Sequence, residues 1–174
     1  VGWSIGGMVA QQFAVRFPER TASMALVNTT CRLGIENSFT SALELMQGLN
    51  RDFEENFPSR LLPRKAEYAD LLRAGTSASS PAVHLKYADL ALRYDGSGSL
   101  AGVRAPALVV SGARDMLTPP AHGRELQQRI AGSTYLEIAD VGHYVPLLAW
   151  EEFNRVLRGF WSSRKAASAR SQGA

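Results

Sequence analysis

Apolar residues follow two different spacings at the start of the chain. From Gly6 to Phe17 they recur at helical intervals, and Pro18 ends the predicted helix because the residue before a proline is biased away from helical geometry. The next apolar run, from Met24 to Val27, is short and unbroken and leads into the polar loop 28–30. A run of this kind predicts a buried strand. The chain therefore opens with a helix followed by a strand.

The same alternation returns in the last part of the chain. The segment 96–99 is rich in glycine and serine and predicts a flexible joint. Beyond it the pattern predicts strands at 107–111 and 134–138 and amphipathic helices at 121–130 and 150–161. Strands alternating with such helices indicate an α/β fold, a parallel sheet covered by helices on both faces. Functional groups in these sheets collect in loops at the carboxyl ends of the strands.

The middle of the chain has a different character. Between 38 and 94 the apolar residues keep helical spacing, without strand-like alternation, and prolines and a polar stretch at 75–81 interrupt the pattern. This segment predicts an insertion of three or four short helices. The residues after 161 are rich in Ser, Ala, Arg and Gly and predict a disordered tail. The predicted divisions are 1–30 for the first part of the core, 31–95 for the helical insertion, 96–161 for the second part of the core and 162–174 for the tail.

Composition and charge narrow the class of protein. The 174 residues are 45% hydrophobic and 20% charged, which is typical of a globular domain with a sizeable core. The formal net charge of +3 is dispersed, so no nucleic-acid partner is indicated. A lone cysteine, Cys31, excludes an internal disulfide framework and a cysteine-rich zinc site. No apolar run approaches the roughly 18–20 residues that cross a bilayer, so we expect a cytoplasmic protein.

The first candidate for chemistry is the segment Gly2-Trp3-Ser4-Ile5-Gly6-Gly7, which matches the G-x-S-x-G pattern. In this turn a strand reverses sharply into a helix and holds the serine in a strained conformation with its hydroxyl exposed. The glycines two residues to either side are expected to remove side chains that would collide. The N-terminal amides of the helix favour negative charge beside Ser4. An ordinary Gly/Ser loop is the alternative, which the amphipathic helix that follows disfavours.

Asp115 and His143 each lie in a loop just past a predicted strand, 107–111 and 134–138 respectively. A carboxylate in such a loop can orient an imidazole, and the imidazole can take the hydroxyl proton of Ser4 and return it to a leaving group. Taken singly, the aspartate also fits a surface turn or helix cap, and the histidine fits a structural role. Together the residues supply a nucleophile, an acid and a base after different strands.

Other polar side chains are weaker candidates. Asp95 and Asp140 are alternative acids, but Asp95 adjoins the predicted joint and Asp140 is too close along the chain to His143 to reach its imidazole from behind. His84 and His122 are expected at the surface or in the helical insertion.

Three residues near these candidates have expected roles in packing or in a pocket. Cys31 has no histidine near it in the sequence and is expected to be a small buried hydrophobic residue. Trp3 and Ile5 flank the serine and are expected to line a pocket for substrate. Trp3 could equally pack against the next strand.

The order serine, acid, histidine along the chain is that of the α/β-hydrolases, and the sequence resembles this superfamily as far as about Trp161. The segment G-W-S-I-G-G-M-V-A followed by F-P-E-R is similar to the elbow and helix of small esterases, among them pimeloyl-carrier-protein methyl ester esterases and 3-oxoadipate enol-lactonases. The runs G-A-R-D-M-L-T-P-P and V-G-H-Y-V-P-L are similar to their acid and histidine loops. The resemblance implies Ser4 as nucleophile, Asp115 as acid, His143 as base, and a helical cap at 38–94 between the sixth and seventh strands.

The chain departs from this family at its start. The sequence begins with Val1 directly before the motif, whereas a family member would carry four strands and their helices ahead of the elbow. The missing part would include half of the oxyanion hole, so the resemblance leaves the backbone amide of Ile5 as the other half. We therefore expect a partial α/β-hydrolase fold, holding only the last strands of the parallel sheet. The unpaired strand edge favours aggregation or complementation, so the chain alone is expected to be weakly active or inactive.

These inferences predict a serine hydrolase that acts on a small or medium carboxylic ester, thioester or lactone through an acyl-enzyme. A serine at the elbow disfavours epoxide hydrolases and haloalkane dehalogenases, because a resemblance to those enzymes would require a carboxylate nucleophile at this position. Carbon–carbon bond hydrolases and cofactor-free haloperoxidases share the same residues and stay open, as does a non-catalytic ligand-binding pseudo-hydrolase. The expected partners are an ester-like small molecule and either a second copy of the chain or a missing N-terminal segment. No metal or organic cofactor is expected.

Overall fold

The computed structural model describes residues 1–33 and 41–172, with side chains as far as 163. Its strands form one parallel sheet in the order β1-β2-β3-β4. The strands are β1 (Gly2–Trp3), β2 (Met24–Val27), β3 (Ala107–Gly112) and β4 (Thr134–Ile138). The α-helices of the described ranges are α1 (Ile5–Arg16), α2 (Ala42–Glu55), α3 (Lys65–Ser77), α4 (Pro81–Arg93), α5 (Pro120–Arg129), α6 (Val145–Leu148) and α7 (Trp150–Gln172). Short 3-10 turns occupy Pro18–Arg20, Ser59–Arg64 and Leu100–Gly102.

The two central strands are buried on both faces of the sheet, as their unbroken apolar sequences predict. Successive side chains point to opposite faces, so Leu26 joins a cluster with Ala14 of α1 and Leu126 of α5. Its neighbour Val27 joins the opposite cluster, in which Phe153 of α7 takes part. Helices therefore cover both faces, and the carboxyl ends of all strands lie along one edge of the sheet.

The predicted strands match the observed ones to within a residue, and the predicted α/β class with a parallel sheet is confirmed. The last helix is longer than predicted, because it continues to Gln172 instead of ending at 161. Helix α7 thus runs through most of the segment 162–174, for which disorder stays a prediction, and 173–174 lie outside the described residues. The segment is poor in apolar residues, which suggested disorder, but its Ala, Arg, Lys and Gln residues have high helix propensity and it contains no proline.

The apolar face of α1 is not the one that the spacing suggested. Met8 and Ala14 are buried, but Val9, Phe13 and Phe17 are 64%, 41% and 41% exposed. The rings of Phe13 and Phe17 pack against each other at 5.1 Å instead of against the sheet. The sequence shows that these residues are apolar, whereas their exposure depends on which elements lie beside the helix.

The predicted insertion is helical in its described part, which comprises α2, α3, α4 and the turn at 59–64. Its segment 34–40 lies outside the described residues. Where the chain leaves and re-enters the core, Arg32 and Asp95 form an antiparallel bridge, and the Gly96 amide donates to the carbonyl of Cys31 at 2.8 Å. The glycine-serine segment predicted as a flexible joint is thus a hydrogen-bonded turn, in which Asp95 also accepts from the Ser97 amide at 2.9 Å.

Within the described ranges, no helix has the length and apolar character that a membrane crossing requires.

Candidate active site

Ser4 occupies a sharp turn between β1 and α1. Its backbone has φ of 53° and ψ of −125°, a conformation that non-glycine residues rarely adopt. Two hydrogen bonds hold the turn in place: the Ser4 amide donates to the carbonyl of Val27 at 3.0 Å, and the Thr29 hydroxyl donates to the carbonyl of Ser4 at 2.7 Å. The surrounding strand and loop therefore stabilise the strained backbone.

The glycines around Ser4 are not equally constrained. A Cβ at Gly2 would lie 2.4 Å from the carbonyl oxygen of Gly6, and one at Gly7 would lie 2.5 Å from the side chain of Thr29. A Cβ at Gly6 would meet nothing within 4 Å. The expectation that the glycines two residues to either side both relieve collisions is therefore right for Gly2 and wrong for Gly6. The third glycine, Gly7, is the second position at which a side chain would collide with its surroundings.

This difference predicts opposite results for two neighbouring substitutions. Gly7→Ala is expected to lower the free energy of unfolding by about 1–3 kcal/mol, because the added methyl group overlaps Thr29. Gly6→Ala is expected to be neutral or to stabilise by up to about 1 kcal/mol, because alanine favours the helix and the space is open. Chemical denaturation of both variants measures the difference. Equal destabilisation by the two substitutions would contradict this account of the turn.

His143 lies in the histidine loop (139–144), between β4 and α6. Its side chain is almost fully buried, and its Nε2 lies 2.9 Å from the Ser4 Oγ. The indole N–H of Trp3 donates to the backbone carbonyl of His143 at 2.8 Å, and the indole and imidazole rings lie 5.8 Å apart. The residue before Ser4 thus helps to hold the loop that carries the imidazole.

Asp115 lies in the acid loop (113–119), between β3 and α5. Its Oδ2 and Oδ1 are 2.9 and 3.1 Å from the Nδ1 of His143. Because a carboxylate accepts hydrogen bonds, Nδ1 carries the hydrogen, which leaves Nε2 as the acceptor for the Ser4 hydroxyl. The three side chains form one continuous hydrogen-bonded chain, assembled from loops that follow β1, β3 and β4.

The acid is held by further donors that the sequence analysis did not single out. The amides of Leu117 and Thr118 each donate to the Oδ1 of Asp115 at 2.9 Å. The Thr118 hydroxyl and the Asn28 side-chain amide donate to Oδ2 at 2.8 and 2.7 Å. Asn28 has φ of 43° and comes directly after β2. A buried polar residue at the carboxyl end of a strand is the signal that could have identified it.

The pKa values of Asp115 and His143 move in opposite directions. Burial opposes ionisation of Asp115, but the adjacent imidazole and the hydrogen bonds from Thr118 and Asn28 hold the pKa of its carboxyl below the ordinary 3.8. Burial disfavours the charged form of His143, but the negative charge of Asp115, its hydrogen bond and the charge of Asp52 raise the imidazole pKa above the ordinary 6.5. The site is therefore built to stabilise a positive charge on the imidazole.

An apolar cavity of about 310 Å³ opens at Ser4 and His143. The inserted helices α2 and α4 form much of its wall, together with α1 and the acid loop. Its apolar lining includes Ile5, Met8, Leu45, Leu49, Ala88 and Leu117. A second cavity of about 550 Å³ also reaches Ser4, and Trp3 and Tyr144 line it. Ile5 lines both cavities, and Trp3 lines the second.

The weaker candidates lie away from this site or at its wall. Asp140 pairs with Arg114 at 2.9 Å near the surface, so it is not the acid partner of His143. His84 belongs to the cavity wall in α4. The expectation that His122 lies at the surface is wrong, because it is buried at the start of α5 with its Nδ1 2.7 Å from the hydroxyl of Thr30.

Cys31 is fully buried, as expected for a small hydrophobic residue. Burial raises the pKa of its thiol to about 11, with a further contribution from the charge of Glu125. The thiol is therefore protonated at neutral pH and is a poor nucleophile. In the described part of the chain, no group of three or more His, Cys, Asp or Glu side chains has an arrangement that could hold a metal ion.

The family model of the α/β hydrolase family matches residues 1–156. A pimeloyl-[acyl-carrier protein] methyl ester esterase from Chromobacterium violaceum is 30% identical over 165 residues, which cover 87% of this chain and 65% of the esterase. The crystal structure of the putative non-heme bromoperoxidase BpoC from Mycobacterium tuberculosis superimposes with a TM-score of 0.75 at 26% identity, covering 94% of this chain and 66% of that one. Est816, described as an N-acyl homoserine lactone degrading enzyme, has a TM-score of 0.75 at 29% identity, covering 91% and 65%.

The parallel sheet and the strained serine turn are both consistent with the match to the family model. The chain belongs to the α/β hydrolase family. It spans slightly less than two thirds of the length of each of these three relatives.

Proposed function

We propose that the protein is a serine hydrolase that cleaves a small or medium carboxylic ester, thioester or lactone through an acyl-enzyme. One observation carries the proposal: Ser4, His143 and Asp115 form a hydrogen-bonded chain with distances of 2.9 Å at both links, beside an apolar cavity. A hydroxyl, an imidazole and a buried carboxylate in this order are the groups that nucleophilic acyl transfer requires.

In the first half of the reaction, the Nε2 of His143 takes the hydroxyl proton of Ser4 as the Oγ attacks the carbonyl carbon. The imidazolium that forms is stabilised by Asp115, which stays ionised. The negative oxygen of the tetrahedral intermediate lies against the first turn of α1, where the amide of Ile5 has no acceptor within the helix. When the carbon–oxygen or carbon–sulfur bond breaks, His143 returns the proton to the leaving group.

The second half repeats the chemistry with water. His143 takes a proton from a water molecule, whose oxygen attacks the carbonyl carbon of the acyl-enzyme. The bond to the Ser4 Oγ then breaks, and the oxygen recovers its proton from the imidazolium. The products are a carboxylic acid and the free hydroxyl of Ser4, so the cycle needs no group beyond these residues and water.

The cavity and the relatives support this substrate class. Most residues that line the 310 Å³ cavity are Ile, Leu, Met or Ala, which favours an apolar acyl or alcohol group next to Ser4. Two of the relatives are named as a methyl ester esterase and as an enzyme that degrades N-acyl homoserine lactones, and both substrate types present a carbonyl carbon to a nucleophile.

A bromoperoxidase-like activity is the second candidate, favoured by the structural similarity to BpoC. Incubation with hydrogen peroxide, bromide and a halogen acceptor distinguishes the two. Ester hydrolysis without peroxide-dependent bromination supports the hydrolase, and bromination that exceeds hydrolysis supports the alternative.

Labelling with a fluorophosphonate tests the proposal and its pH dependence. We expect one covalent adduct, on the peptide that contains Ser4. Since His143 acts as a base only when neutral, the labelling rate should rise with pH and level off above the pKa of its imidazole, which lies above 6.5. Mass spectrometry and a series of rates between pH 5 and 9 measure both. Folded protein that is not labelled at Ser4 would support a non-catalytic binding role.

A further inference from the structure

Asp52 is a buried carboxylate of cap helix α2 that contacts both loops carrying the acid and the base. Its side chain is 1% exposed. One oxygen, Oδ1, accepts from the backbone amide of Met116 in the acid loop at 2.9 Å. The other, Oδ2, accepts from the backbone amide of His143 in the histidine loop at 2.6 Å. The carboxylate therefore bridges the residue after Asp115 and the histidine itself.

The backbone around this bridge leaves little room for movement. A Cβ at Gly142 would lie 2.3 Å from the Oδ2 of Asp52, so the close approach of helix and loop requires glycine there. The side-chain amide of Asn56, the residue directly after α2, donates to Oδ1 at 3.2 Å. Asp52 thus has defined partners on the helix and on both loops.

The charge of Asp52 is costly at this place. Its hydrogen-bond donors are two backbone amides and the neutral side chain of Asn56. Burial raises the pKa of the Asp52 carboxyl, and the charge of Asp115 raises it further, whereas the hydrogen bonds from the two backbone amides lower it. The same charge contributes to raising the pKa of His143. The carboxylates whose charge acts on the imidazole are Asp115 from the acid loop and Asp52 from α2. The ring of Tyr144 also packs against the imidazole, at 6.0 Å, and burial raises the pKa of its phenol.

We propose that Asp52 is a positioning residue of the reaction: it ties cap helix α2 to the acid and histidine loops, so that seating of the cap aligns Asp115 with His143 and places a second negative charge beside the imidazole. This proposal rests on the proposed function for its catalytic consequence. The cap would then influence the alignment of Asp115 and His143, in addition to forming the pocket wall. Asp52 lies on the buried side of α2, at helical spacing from Leu45, where an acidic residue would otherwise be unfavourable.

The first test does not depend on activity. In a Ser4→Ala background, NMR titration of His143 is compared with and without Asp52→Asn, with Glu55→Gln as the matched control because Glu55 is an exposed carboxylate of the same helix. Removing the charge of Asp52 should lower the pKa of His143, whereas Glu55→Gln should leave it unchanged. If both substitutions give the same His143 titration, Asp52 has no electrostatic action on the base and the proposal is overturned.

The second test measures alignment by the fluorophosphonate labelling rate of Ser4. Asparagine offers one acceptor oxygen for two backbone amides, so Asp52→Asn should slow labelling by about 10- to 100-fold at a pH above the His143 pKa. It should also move the rise of the rate to lower pH, which a loss of stability alone would not do. Unlabelled wild-type protein refutes the proposed function, while the titration still decides the role of Asp52.

A milder substitution covers the case in which Asp52→Asn does not fold. Asn56→Ala removes one donor to the Oδ1 of Asp52 and keeps the charge. We expect it to slow labelling by about 2- to 10-fold, the effect of losing one hydrogen bond. A rate equal to that of the wild type overturns the proposed alignment by Asp52.

Discussion

Replacing Ser4 with alanine should abolish both fluorophosphonate labelling and ester hydrolysis. The Ser4 Oγ lies 2.9 Å from the Nε2 of His143, and among the residues that the structure describes it is the hydroxyl hydrogen-bonded to that nitrogen. Loss of a nucleophile in a site of this type lowers kcat by roughly 10⁶-fold. Steady-state hydrolysis of a p-nitrophenyl ester, followed with wild-type and variant protein at the same concentration, measures the loss.

Two further variants separate chemistry from folding. Ser79→Ala removes an exposed hydroxyl between α3 and α4 and should leave the rate unchanged. Ser4→Gly should be as inactive as Ser4→Ala but more stable to denaturation by about 1 kcal/mol, because glycine adopts a φ of 53° without strain. Hydrolysis retained by Ser4→Ala, at a rate near that of the wild type, would show that another group is the nucleophile.

Asp115→Asn is expected to lower kcat by about 10⁴-fold while leaving the fold intact. The amides of Leu117 and Thr118 donate to Oδ1, so the oxygen of an asparagine would take that position. Its NH₂ group would then face the Nδ1 of His143 and the side-chain amide of Asn28, which would have to turn its oxygen toward it. The imidazole would be forced to carry its hydrogen on Nε2, where it cannot accept the proton of Ser4.

The control for this variant is Asp140, the aspartate of the histidine loop. Asp140→Asn removes a carboxylate that pairs with Arg114 near the surface and should change kcat by less than about twofold. The rates of both variants are compared at a pH above the His143 pKa, with circular dichroism to verify folding. Equal losses in the two variants would contradict the assignment of Asp115 as the acid.

Much of the fold could be predicted from local sequence. The strands at 24–27 and 107–112 are short apolar runs bounded by polar loops, and the helices between them have apolar residues at helical spacing. The candidate residues could also be predicted, because parallel strands place their carboxyl ends at one edge and Asp115 and His143 each follow such an end. The roles of Ile5 in the oxyanion hole and of Trp3 in substrate binding stay predictions.

What could not be predicted depends on neighbours distant in sequence. Phe13 and Phe17 are as apolar as core residues, but whether a helix face is covered depends on the elements packed beside it. His122 looks like a surface residue at a helix start and is buried because Thr30 supplies a partner for its imidazole. Asp52 lies 91 residues from His143, and no local pattern indicates that its carboxylate reaches the backbone amide of the histidine.

The sequence by itself determined the class of fold, the order of its elements and the identity of the three candidate groups, because hydrophobic periodicity and turn residues act over a few positions. The tertiary structure alone decided that these groups meet at hydrogen-bond distance and that the inserted helices line an apolar cavity beside them. It also decided that Asp52 accepts from the amide of His143 and that Asn28 donates to Asp115. Distances between side chains depend on how whole layers pack, and that packing is a property of all the contacts together.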